Sequence, residues 1–151
     1  MAQAVYFESL LEQPLFRTYL FYVALLSLKM ILLSALTGAK RFKTKTFANA
    51  EDAQPYKLKP KVNEDVERVR RAHLNDLENI PIFFIVSLVY LTTNPSLFLA
   101  STLIRIFTVA RFIHTFVYAV VVIPQPARAL SWGTGYIITI YMAVCSLFYY
   151  L

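Results

Sequence analysis

The sequence predicts an all-α integral membrane protein, a bundle of four transmembrane helices. Three observations carry this. Hydrophobic residues make up 58% of the 151 positions, above the share usual in a soluble domain. Four spans follow one another, at about 15–38, 66–93, 97–123 and 130–151; the first, third and fourth are apolar over a length that crosses a bilayer as a helix, and the second is apolar from about 80 after a polar lead-in. Ten of the fifteen Lys and Arg residues crowd between Lys40 and Arg71, separating the first two stretches. A basic loop between apolar spans is expected on the cytosolic side. The net charge of +6 is therefore read as topology, with no nucleic-acid partner expected.

The first span begins near Leu15 and ends near Gly38. Glu8 and Glu12 precede it where a cleaved leader would carry basic residues, so the span is expected to remain as an anchor. The cytosolic loop covers about 39–65, and its "FANAEDAQPYKLKPK" segment leaves order or mobility open. The second span reaches full length only if its helix begins near Asp65 or Val66 and carries the charged "RVRRAHLNDLENI" on its first turns. Pro81 then lies inside it, which a membrane helix tolerates with a kink. "TTNPS" closes a tight hairpin into the third span, and "PQP" ends that span before the fourth. Four spans place both termini on the lumenal side. The chain is read as a single membrane domain. Its one cysteine, Cys145, excludes an internal disulfide and a Cys-rich metal site.

Helical periodicity organises the charged motif. With Arg71 as zero and about 100° per residue, Arg68, Asn75 and Glu78 fall within about 60° of it. Arg70 and His73 point elsewhere. One reading is a solvated helix end with i,i+4 pairing. The other is a binding stripe, because Glu78 lies deep enough for its charge to need a partner, and mixed donors and acceptors suit a zwitterion. His73, Asp76 and Glu78 do not share a face, so no metal site is expected. In the third span Arg111, His114 and Tyr118 recur at i, i+3 and i+7, on one stripe. Core packing is the plain reading of each alone. Together with an intramembrane arginine they point to a polar cavity. Arg111 is expected to pair with Glu78 across the hairpin, and Arg105 points away. Arg128 opens the fourth span, where an arginine also serves as a snorkelling anchor.

"VERVRRAHLNDLENI", with "KTFANAEDA", "ARFIHTFVYA" and "PQPARAL" in the same order, resembles the MAPEG family, the membrane-associated proteins in eicosanoid and glutathione metabolism. Within it the resemblance is to the type 1 microsomal glutathione transferases, with prostaglandin E synthases as near relatives. The resemblance implies a homotrimer in the endoplasmic reticulum membrane, with the mitochondrial outer membrane as a second location. It implies glutathione bound between subunits near the cytosolic side, no metal, and membrane lipid as surroundings. Carried over by motif, glutathione would be held by Arg41, Arg70, Arg71, His73, Asn75, Glu78, His114 and Tyr118. Arg128 would be catalytic, stabilising the thiolate, with Arg111 and Asp52 in support.

The implied function is conjugation of glutathione to lipophilic electrophiles, together with glutathione-dependent reduction of lipid hydroperoxides. Alternatives are a prostaglandin E or leukotriene C synthase-like enzyme, a non-catalytic lipid-binding adaptor, and a small channel or transporter. Four positions depart from family patterns. Ala50 stands where proline is frequent, and Ala53 where some transferases carry a reactive cysteine. Ala129 and Trp132 replace the serine and tyrosine of the prostaglandin synthases, which favours the transferase.

Overall fold

The computed structural model describes residues 12–151; Glu8 lies outside them. Among the described residues the regular structure is entirely helical. Helix α1 is Pro14–Thr44, α2 Glu64–Thr92, α3 Leu97–Thr115 and α4 Ala127–Tyr150. A five-residue π-helical stretch, Phe116–Val120, prolongs α3. All four helices are long and apolar enough to cross a membrane.

Local chemistry sets the helix ends. Pro14 occupies the first turn of α1, where its missing N–H costs nothing. At 31 residues, α1 is about 46 Å long, longer than the bilayer's apolar core, so its last turns with Arg41 and Lys43 project beyond it. Lys45 ends α1 in the left-handed region at φ 50°, and Thr46 donates its backbone N–H to the Arg41 carbonyl at 3.0 Å. Asn63 caps α2 through its side-chain oxygen, which accepts from the Asp65 N–H at 2.9 Å. Glu64, Asp65 and Glu67 lie in the first turn, favourable beside the helix's positive end. Ser96 caps α3 in the same way, through Leu99. Helix α2 runs through Pro81, which lacks an N–H for the Leu77 carbonyl.

The loop after α1 is ordered. It holds a helical turn, Ala50–Ala53, and a 3-10 turn, Gln54–Tyr56. The Phe47 and Tyr56 rings stack 5.1 Å apart, with Phe42 edge-on to both. Lys61 donates its backbone N–H to the Phe47 carbonyl at 2.8 Å, which ties the loop's exit to its start.

Helix α1 packs on α2 and α3, and α4 packs on α2 and α3. The core is Leu26, Ile80, Phe83, Ile104, Phe107 and Met142 with their neighbours. Phe83 and Phe107 stack face to face, centroids 3.5 Å apart. Gly135 of α4 lies against this pair, where a Cβ would sit 3.4 Å from the Phe107 ring. Gly135→Ala fits at ordinary contact distance. Gly135→Leu is expected to drive Phe107 off Phe83 and cost about 1–3 kcal/mol, read as a lower unfolding temperature in detergent. The outer surface is apolar: Phe98 is 80% exposed and Ile31 65%, as expected of side chains that meet lipid instead of water. The protein is an all-α membrane protein of four apolar helices.

Candidate functional site

Intramembrane charge collects at one point of the bundle. Asp76, fully buried on α2, receives Arg111 of α3, with Nε at 3.0 Å and Nη2 at 2.5 Å from its Oδ1. Its Oδ2 pairs with the Nζ of Lys29 on α1. Lys29 also donates to the Thr115 hydroxyl at 2.7 Å. Three helices are therefore joined by a buried cluster of two cations and one anion. The expected pairing of Arg111 with Glu78 is not formed: Arg111 pairs with Asp76 instead. Two residues advance a helix by about 200°, so Asp76 faces the bundle interior while Glu78 faces out of it. Arg111 is accordingly not among the residues that line the cavity bordered by His114 and Tyr118.

Arg111 also holds Asn75, a residue of the adjoining cavity's wall. Its Nη2 donates to the Asn75 Oδ1 at 2.8 Å. That contact occupies the amide oxygen and leaves the Asn75 NH2 as the group with hydrogens to offer. Arg71, Asn75 and Glu78 of α2, His114 and Tyr118 from the end of α3, and Arg128 from the first turn of α4 line one cavity of about 390 Å³. It lies at the end of the bundle that carries the basic loop. Leu74, Gln125, Ala129 and Trp132 complete its wall.

Tyr118 stands between the two cavity arginines. The Arg71 Nε donates to its hydroxyl at 3.3 Å, and the Arg128 guanidinium carbon lies 4.5 Å from the centre of its ring. The His114 ring meets Tyr118 edge-on at 5.6 Å. Tyr118 belongs to the π-helical stretch, a wider turn often found at functional sites. Arg128 is placed by the start of α4, where the Gln125 side-chain oxygen accepts from the Ala129 N–H at 3.1 Å. Arg71 is also paired with Glu64. Glu78 has no ion-pair partner among the described residues.

The remaining sequence-derived candidates lie outside this cavity. Arg70 pairs with Glu67 at 2.9 Å, and Arg68 approaches Glu64 at 3.9 Å. His73 and Arg41 do not border the cavity. Asp52 accepts from the Asn49 amide at 3.1 Å in the exposed loop turn. Sequence reasoning gave Asp76 no role beyond the discarded metal site and passed over Lys29. The signal for Lys29 was present, since a lysine in the middle of an apolar span needs a buried partner.

A four-helix membrane bundle with a ligand-sized cavity at one end, lined by two arginines and a free carboxylate, defines a multi-pass membrane protein. The chain belongs to the MAPEG family, whose sequence model matches residues 19–148. It is 39% identical over 142 residues to "Microsomal glutathione S-transferase 1" of Rattus norvegicus, covering 90% of this chain and 91% of that one. It is 39% identical over 139 residues to the Homo sapiens protein of the same name, with 88% and 89% covered. "Prostaglandin E synthase" of Bos taurus is 38% identical over 116 residues, with 76% and 75% covered.

Proposed function

We propose that the protein is a membrane glutathione transferase. It would join the glutathione thiolate to lipophilic electrophiles and reduce lipid hydroperoxides with glutathione. The observation that carries this reading is the convergence of Arg71, Asn75, Glu78, Tyr118 and Arg128 on one cavity. Glutathione is a zwitterion with two carboxylates, one amine and one thiol. Arg71 would take a carboxylate, the contact for which a planar guanidinium is suited. Glu78 would take the amine, and the Asn75 NH2 is a donor to a peptide carbonyl or a carboxylate.

An unperturbed thiol ionises at about 8.5, so little thiolate exists at neutral pH. Arg128, a cation on the cavity wall, would favour the anion. The Arg128 residue sits at the N-terminus of α4, whose backbone N–H groups add positive potential. In conjugation the sulfur attacks carbon, displaces the leaving group with its electron pair, and needs no metal. In hydroperoxide reduction the sulfur takes the terminal oxygen. The O–O bond breaks, the alkoxide is protonated to the alcohol, and a second glutathione condenses with the resulting sulfenic acid, releasing water and the disulfide.

In the endoplasmic reticulum the basic loop would face the cytosol, where glutathione is at hand. A homotrimer with cavities shared between subunits would give Arg41, Arg70 and His73 a place beside a neighbour's ligand. Purified protein assayed for conjugation and for hydroperoxide reduction tests the reading. Failure to bind glutathione would instead support a lipid-binding adaptor. Glu78→Gln is expected to raise the glutathione Kd about tenfold, the effect of losing one charge-assisted contact, measured by calorimetry.

A further inference from the structure

A second cavity lies between α1 and α3 and shares no lining residue with the first. It is a groove of about 330 Å³. Leucines of α1 from Leu25 to Leu36 form one wall, and Phe112, Phe116 and Val120 form the other. Among the described residues, Lys29 and Thr115 are the only polar ones in its lining. The Lys29 ammonium lies 5.7 Å from the centre of the Phe112 ring and donates to the Thr115 hydroxyl at 2.7 Å. Two residues of the groove wall therefore flank the charge.

Charge does not balance at this point. Among the described residues, Asp76 is the only carboxylate paired with Lys29 or Arg111. Two cations against one anion leave a positive charge in the apolar interior, which is costly without a further partner. Hydrogens are in excess as well. An ammonium has three to donate, and Lys29 gives two, to Asp76 and Thr115. The Arg111 Nη1 is buried with no acceptor among the described residues. The chemical complement of such a site is an anion joined to an apolar chain.

We propose that the groove binds a long-chain carboxylate, its head paired with Lys29 and its tail laid along the leucines of α1. Depth selects this class over a phospholipid headgroup. Lys29 stands eleven residues before Lys40, where the basic segment begins, which is about 16 Å along the helix. That is about half the thickness of the bilayer's apolar core. A phosphate held at the membrane surface does not reach so far, whereas a single chain with a small carboxylate does. The inference goes beyond the glutathione reading and does not rest on it, because the two cavities have separate walls.

The test uses the full-length protein in phosphatidylcholine nanodiscs with a diazirine-bearing palmitate. Irradiation is expected to label α1 between Leu25 and Leu36 or α3 between Phe112 and Val120, located by mass spectrometry of the digested protein. Palmitate should displace the probe about tenfold better than hexadecanol, which has the same chain length and no charge. In Lys29→Met that preference should vanish. Leu32→Trp fills the groove while leaving Lys29 and Asp76 in place, so it should lose the label. Equal displacement by palmitate and hexadecanol would mean that any acyl chain fills the groove, and would overturn the proposal. So would a preference for palmitate that survives in Lys29→Met, or full labelling of Leu32→Trp. A probe absent from both segments, as when a second copy of the chain covers the groove, would overturn it too. If Lys29→Met fails to fold, the displacement ratio of the unaltered protein and the labelling of Leu32→Trp decide the matter.

Discussion

Asp76→Ala is expected to be the most damaging single substitution in the bundle. Asp76 is the one anion between Lys29 and Arg111, and all three side chains are buried. Its removal leaves two cations facing each other in a medium of low dielectric, with no water to replace the lost contacts. Breaking a buried pair from one side costs about 3–5 kcal/mol, which lowers the unfolding temperature of a chain this size by about 10 °C. The charge balance makes the prediction specific. Lys29→Met leaves one cation and one anion, so it should cost much less than Asp76→Ala. Thermal unfolding in detergent ranks the two variants, and the reverse order would sink the charge-balance argument. Asp76→Ala should also free Arg111 from its place and disturb the Asn75 amide, weakening ligand binding in whatever protein remains folded.

Arg128→Ala is expected to have the largest effect on chemistry. Removing the cation returns the bound thiol toward its ordinary ionisation, so thiolate absorbance in the near ultraviolet should disappear at neutral pH. Conjugation should fall by about a hundredfold, comparable to losing one preorganised donor at a developing charge. The rise of rate with pH should move to more alkaline values, because a thiol without its cation loses its proton at higher pH. Glutathione affinity should change less, since Arg71, Asn75 and Glu78 remain. An Arg128→Ala protein with wild-type rate and wild-type thiolate absorbance would remove Arg128 from the catalytic role.

The two substitutions differ in how well the sequence foretold them. Arg128 was singled out by its position after "PQPA" and by the family resemblance. Asp76 was set aside because His73, Asp76 and Glu78 do not share one face. The same angular argument that excluded it from a metal site placed it on the inner side of α2, the side where an arginine of α3 would have to find its partner. Glu78 was preferred on depth alone. Depth does not decide pairing when two carboxylates two residues apart point to opposite sides of a helix. The wider turn at Phe116–Val120 was equally hidden. No composition signal marks it, and it is this stretch that carries Tyr118 to its place between Arg71 and Arg128.

The sequence by itself determined the class of protein, its four apolar helices and the basic segment between the first two. These follow from hydropathy and charge summed over twenty or more residues, which no local contact can reverse. It also determined that Arg71, Asn75 and Glu78 share a helix face, because 3.6-residue periodicity is a property of the backbone. Only the tertiary structure decided which cation meets which carboxylate. That choice depends on the relative rotation of α1, α2 and α3 about their axes, and packing sets the rotation through contacts such as Phe83 on Phe107 and Gly135 against both Phe107 and Arg111. Those contacts turn Asp76 toward Lys29 and Arg111, and leave Glu78 free at the cavity wall.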